Sequence, residues 1–345
     1  MQLLALTEGP DHVCCRYRIE AYRAALAVRG WTLQVLPLDR STFRRTRQLR
    51  AAATADAVIL QRKLLPLWQL RRLRKTARTL IYDFDDALFC RDSYSEKGPA
   101  SWKRLAHFWA TIHAADAVFA GNRFLLEQAA AYVEPEKVHL LPTCVDPRLY
   151  EPAAHDRPAG ALRLVWIGQR STLPCLDRAQ QMLTAAAARV PNLELRIVCD
   201  TFPQFPGVRV ESCRWSTATE AASLADADVG ISWLPDDQWS RGKCNLKVFQ
   251  YMAAGLPIVA NPVGMHEPTI RNGVNGFVSS TPDGWADCIE RLAGDPSLRR
   301  RLGANGRHYV ARHFSVQRWA DAFADLVVET HGRSADRGAA PVASC

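Results

Sequence analysis

The chain has 345 residues, 48% of them hydrophobic and 23% charged, the composition of a soluble globular protein with enough length for two cores. No run of about 18 apolar residues occurs, which argues against a spanning helix. Ten cysteines show neither CxxC spacing nor a disulfide framework, so reduced thiols in a cytoplasmic protein are expected. The formal charge of +9 suits an anionic substrate or an anionic membrane surface, and no nucleic-acid motif accompanies it.

The N-terminus lacks a basic region and has too short an apolar run for a signal peptide, so it reads as a first strand. Short apolar runs at Leu3–Leu6, Leu33–Leu36, Val58–Leu60, Leu80–Tyr82, Val118–Ala120 and Val138–Leu141 alternate with helical patterns such as Tyr17–Arg29 and Trp102–Ala114. Such alternation predicts a parallel, doubly wound sheet over residues 1–150. The segment 151–160 carries two prolines and no periodicity and is the expected linker. Alternation restarts over 161–330, with strands at Leu162–Ile167, Leu193–Val198, Val208–Val210, Val229–Trp233, Ile258–Ala260 and Phe277–Val278. Helices are expected at Asp177–Arg189, Ala218–Leu224, Asp283–Ala293 and Ser315–Thr330, the last of them able to pack back on the first domain. Residues 331–345 are small and polar and predict an unordered tail.

Three carboxylates, Asp83, Asp85 and Asp86, follow the fourth strand, where a doubly wound fold presents residues to ligand. Acids so close predict one raised pKa. Asp83-x-Asp85 after an apolar strand also resembles the nucleophile motif of haloacid-dehalogenase-type phosphatases. Arg44–Arg50 and Arg62–Arg78 interleave arginines with leucines and Trp68. That pattern fits a basic surface resting on anionic lipid, or a helix whose leucines face the first sheet, and the second reading is preferred.

The stretch Arg241–Ala260 reads as a turn, a helix, a glycine stop at Gly255 and a buried strand. Lys243, Lys247 and Gln250 fall on one helical face, and with free backbone N–H groups beside them they predict a phosphate or diphosphate pocket.

The order Asp228-Val-Gly-Ile-Ser-Trp-Leu-Pro, Gly242-Lys-Cys-x-x-Lys247-x-x-Gln250-Tyr-Met-Ala-x-Gly255-x-Pro257, Val263-Gly264 and Asn272-Gly-Val-Asn-Gly-Phe277 resembles the family 4 glycosyltransferases of the GT-B fold. Val138-His-Leu-Leu-Pro-Thr-Cys-Val-Asp146 and Leu164-Val-Trp-Ile-Gly168 resemble two further segments of that family. The resemblance implies two Rossmann-like domains facing across a cleft, and transfer of a sugar with retention from a nucleotide diphosphate sugar to a glycan or lipid-linked acceptor. No metal or other cofactor is implied. It also implies two glutamates eight positions apart, where this chain has Gly242 and Gln250. By the same resemblance Lys243, Lys247, Arg170 and Ser171 would hold the diphosphate and Gln250 the ribose. His266 would lie near the donor sugar, Arg16 would contact an anion, and Asp85 or Asp86 would serve the acceptor. The loss of both glutamates leaves a non-catalytic nucleotide-sugar binder as the alternative. The expected location is cytoplasmic, with peripheral contact at the inner membrane face.

Overall fold

The computed structural model describes residues 1–339. Two compact units emerge: Met1–Cys144 with Gly242–Cys244 and the chain from Trp319, and Val145–Arg241 with Asn245–Arg318.

In the first unit β1 (Gln2–Thr7), β2 (Thr32–Pro37), β3 (Ala57–Gln61), β4 (Leu80–Phe84), β5 (Ala117–Ala120) and β6 (Val138–Leu140) form one parallel sheet in the order β2-β1-β3-β4-β5-β6. Strands β3, β4 and β5 are buried along their whole length, as parallel strands covered on both faces must be. The helices are α1 (Val13–Arg18), α2 (Arg23–Val28), α3 (Thr42–Gln48), α4 (Leu67–Thr76), α5 (Trp102–Ala114) and α6 (Arg123–Ala130). Right-handed crossovers place α3 to α6 on one face of the sheet and α1 and α2 on the other, because the chain steps one way from β1 to β2 and the opposite way thereafter. The single helix expected over Tyr17–Arg29 is broken at Ile19, whose φ of −122° and ψ of −63° leave the helical region. In α4, Leu70 and Leu73 are buried toward the sheet, the orientation the preferred reading anticipated.

The second sheet is also parallel, in the order β12-β11-β10-β7-β8-β9. Its strands are β7 (Ala161–Ile167), β8 (Asn192–Cys199), β9 (Arg209–Arg214), β10 (Val229–Ser232), β11 (Ile258–Ala260) and β12 (Gly276–Val278). Around it lie α7 (Leu173–Arg178), α8 (Gln180–Arg189), α9 (Glu220–Ala225), α10 (Gln238–Arg241), α11 (Leu246–Ala253), α12 (His266–Thr269), α13 (Pro282–Gly294) and α14 (Pro296–His313), whereas α15 (Val316–Ala339) belongs from Trp319 onward to the first unit. Trp166, Leu183, Leu195, Ile197, Trp285 and Ile289 anchor its core, each large apolar side chain contributing about 1.5–3 kcal/mol.

Three differences from the sequence reading have local causes. Helix α14 was not anticipated, since its apolar residues are sparse. It is started by Asp295, whose carboxylate accepts from Leu298 N at 2.9 Å, with Pro296 in the first turn. The segment 151–160 is irregular but docked within the second unit: His155 is buried with Nε2 2.8 Å from Gly255 O, and Ala153 N donates to Ala254 O. The change of unit falls earlier, at Cys144–Val145. The start of the expected unordered tail is helical to Ala339. His331 is held there by Thr79 Oγ1 at 3.1 Å and by the edge of Trp31, and Phe323 of the same helix stacks on Tyr22 with centroids 4.5 Å apart. Residues 340–345 lie outside the described residues.

Candidate functional site

In the first unit the carboxyl ends of β3 and β4 carry a network of acids paired with arginines. Gln61 and Asp83 are neighbours across the ladder, and Gln61 Nε2 donates to Asp83 at 3.1 Å. Arg18, at the end of α1, donates from Nη2 to Asp83 at 2.5 Å and from Nε at 3.1 and 3.2 Å. Both side chains are almost wholly buried (2% and 1% exposed), and Arg18 Nη1 also donates to Leu141 O and Thr143 Oγ1. Just past β3, Arg62 spans the next two acids, donating from Nη1 to Asp85 and from Nη2 to Asp86. Its φ of 58° turns the chain sharply back over the strand ends.

The raised pKa expected of one acid in the cluster is therefore not found at Asp85. Burial alone would raise it, but Arg62 and then Arg18 outweigh that effect and hold the carboxyl below its usual range. Asp83, bidentate to a buried guanidinium, is poorly placed to be a nucleophile. Arg16 is half-buried, its guanidinium 5.2 Å from the Tyr17 ring centroid, and it is Arg18 that enters the strand-end network.

The segment Gly242–Cys244 packs in this same unit. Lys243 Nζ lies 2.9 Å from Asp86 Oδ1, and Lys243 O accepts from Asn122 Nδ2 at 3.1 Å. A Cβ on Gly242 would stand 2.6 Å from Ala87 N and 2.7 Å from Ala87 Cβ. The glutamate implied at this position has no space, because the turn after Asp86 fills it. Lys243 also does not share a helical face with Lys247. Asn245 takes a left-handed conformation (φ 61°, ψ 21°) and α11 begins only at Leu246, so helical spacing does not run back through residue 243.

In the second unit the strand order reverses between β7 and β10, the place where open α/β sheets take ligands. Arg170 and Ser171 are exposed in the 3-10 turn Arg170–Thr172 that follows β7 there. Lys247, in the first turn of α11, holds its ammonium 4.5 Å from the Trp166 ring centroid, a cation–π contact that fixes the charge at the end of β7.

Also at this end, His266 is buried with Nδ1 2.9 Å from Asn261 O. A carbonyl only accepts, so Nδ1 carries the proton and Nε2 is the bare nitrogen. Its pKa is pushed down to about 4, chiefly by burial and further by the Lys247 charge, against the opposing hydrogen bond to Asn261. The fold thus keeps His266 neutral while the unfolded chain protonates near pH 6.5, so its contribution to stability is full above that pH and is lost as pH falls toward 4. A loss of about 2 kcal/mol by pH 5 is expected from this residue. Urea midpoints at neutral and mildly acid pH check it, and an equal acid loss in His266→Asn would remove His266 as the cause.

Gln250, implied as the ribose contact, is buried, and its Nε2 donates to Tyr150 Oη at 3.3 Å. Tyr150 Oη in turn donates toward Glu220 at 3.5 Å, and Glu220 also accepts from Trp215 Nε1 at 2.8 Å. Sequence reasoning missed Arg18 and Arg62, although Arg18 lies in the Arg-Tyr-Arg run, and it missed Glu220, for which no motif gave a signal. Among the described residues no group of three or more His, Cys, Asp or Glu is arranged to hold a metal ion.

Comparison with known proteins gives first the fold. Sucrose-phosphate synthase from Thermosynechococcus elongatus superposes with a TM-score of 0.73 at 18% identity, covering 96% of this chain and 100% of that one. Anabaena Alr3699/HepE, solved in complex with UDP and glucose, gives 0.68 at 15% identity, covering 95% and 100%. The chain has the GT-B fold of two Rossmann-like units.

Residues 176–325 match the family model described as glycosyl transferase-like. Over 218 residues the chain is 29% identical to a D-inositol 3-phosphate glycosyltransferase of Actinosynnema mirum, covering 55% of this chain and 51% of that protein. The chain spans about half the length of the curated relatives it matches.

Proposed function

We propose that this protein is a glycosyltransferase that moves a sugar from a nucleoside diphosphate sugar to a glycan or lipid-linked acceptor with retention of anomeric configuration. The observation that carries the reading is Lys247, whose ammonium is fixed over Trp166, on the strand that leads into the turn bearing Arg170 and Ser171, and whose charge helps keep His266 neutral. The similarity to glycosyltransferases and the UDP bound in the HepE structure support it. Lys247 and Arg170 would neutralise the diphosphate as the sugar leaves, and preorganised cations do so without reorganisation, which leaves no task that requires a metal. Ser171 would donate to a phosphate oxygen, and Gln250 would face the ribose from its place on Tyr150. The bare Nε2 of His266 would accept from a donor-sugar hydroxyl.

In the first unit Asp86 would orient the acceptor, positioned by Arg62 and Lys243, with Asp85 as its support and Arg16 as an outlying anion contact. Asp85, held below the usual carboxylate range by Arg62 and Arg18, is a weak base. The leaving phosphate oxygen would take the acceptor's hydroxyl proton as the new C–O bond forms and the sugar–phosphate bond breaks. Among the described residues nine cysteines form no disulfide, and a cytoplasmic location would keep them reduced.

Lys247→Ala is expected to weaken UDP binding by roughly 10- to 100-fold, the loss of one charge-assisted contact. Titration calorimetry reads this, and unchanged affinity would remove the donor site from α11. A panel of nucleotide sugars, scored by thermal stabilisation and then by transfer in a chelating buffer, identifies the donor. Nucleotide binding without turnover of any donor would instead make the protein a binder.

A further inference from the structure

Among the described residues no helix is long and apolar enough to cross a membrane, yet one face of the first unit has the chemistry of a membrane surface site. Helices α3, α4 and α5 lie side by side on the same side of the sheet. Gln69 of α4 donates to Thr42 O at 3.1 Å and Thr46 Oγ1 at 2.7 Å, and Arg45 of α3 donates back to Gln69 at 2.9 Å. Arg74 of α4 reaches Asp116, just beyond α5, at 2.6 Å. The three helices carry nine Lys and Arg and no Asp or Glu.

The core does not need their outer side chains. Helix α5 already buries Phe108 and Ile112 inward, while Trp102, Leu105 and Trp109, spaced i, i+3 and i+7, form a second apolar stripe facing out. Trp102 is 84% exposed, Phe43 on α3 is 82% exposed, and Trp68 on α4 is half exposed between the exposed Arg71 and Arg72 and the exposed Leu67. Tryptophans flanked by cations, with carboxylates excluded, match the interface of an anionic bilayer: the rings enter the headgroup layer while the guanidinium groups meet phosphates.

We infer that the α3–α4–α5 face of the first unit docks on anionic lipid. This is independent of the donor assignment, because it is read without nucleotide.

The test is co-sedimentation of the full chain with phosphatidylcholine vesicles, with and without phosphatidylglycerol, followed by tryptophan emission. Binding should require the anionic lipid, weaken with salt and shift the emission to the blue. Replacing Arg71 and Arg72 with Ala should cost about fivefold in affinity each. The variant Trp68→Ser, Trp102→Ser, Trp109→Ser should lose both the emission shift and most of the binding while keeping the thermal midpoint, since these side chains are outside the core. Equal binding to neutral vesicles, or anionic binding untouched by the tryptophan changes, would overturn the proposal. So would tight salt-sensitive binding to RNA with none to vesicles.

Discussion

Arg18→Met destabilises the first unit by about 3–5 kcal/mol, the cost of leaving a buried carboxylate without its cation. Asp83 is 1% exposed and takes three hydrogen bonds from the Arg18 guanidinium and a further one from Gln61 Nε2. Removal of Arg18 also strips donors from Leu141 O and Thr143 Oγ1, so the chain between β6 and residue 144 loosens with it. The double variant Arg18→Met, Asp83→Leu recovers much of the loss, since an apolar pair of similar volume removes the unpaired charge. Urea unfolding of the two variants distinguishes these outcomes. A single-variant loss under about 1 kcal/mol, the scale of an exposed pair, would mean that water reaches Asp83 and that the strand-end network is not sealed.

Gly242→Glu, which installs the carboxylate that the family resemblance leads one to expect, abolishes transfer instead of improving it. Its Cβ would enter the space of Ala87 N and Ala87 Cβ, and a backbone amide cannot swing aside as a side-chain tip can. The turn bearing Asp85 and Asp86 must move, and Asp86 leaves Lys243. Displacement of an oriented group by about 1 Å costs on the order of 100-fold in rate, and a fall in kcat/KM of at least that size is expected. Gly242→Ala brings the same Cβ and should share most of the loss, which separates the steric cause from the added charge. An active Gly242→Glu enzyme would show that the Ala87 turn yields and that the glycine is not a packing requirement.

Much of the architecture was legible because parallel strands buried on both faces are short continuous apolar runs; the edge strand β9, largely exposed, was touched only by Val208–Val210, which overlaps it by two residues. Helix ends were less so. The α1–α2 break at Ile19 and the sparse apolar pattern of α14 depend on one backbone angle and one capping aspartate, both weak in a periodicity count. At the site, Lys247 stands in the first turn of α11 with its ammonium over Trp166, whereas Lys243 was put on its face by a spacing that the left-handed Asn245 interrupts. The cluster of three acids was visible in the chain, but the cations that pair with it were not, since Arg18 and Arg62 stand 65 and 23 residues from their partners Asp83 and Asp85.

By itself, then, the sequence determined the two α/β units, the glycine stop after α11, the acidic end of β4 and the cation of Lys247, because each is a local matter of hydrophobic spacing, turn chemistry or residue type. Only the tertiary structure decided which charges meet. It gave Lys243 to Asp86, Arg62 to Asp85 and Asp86, and a neutral state to His266, and it closed the space beside Gly242. Ion pairing and burial are set by through-space distance, and a fold that brings β3, β4 and residues 242–244 together sets those distances independently of separation along the chain.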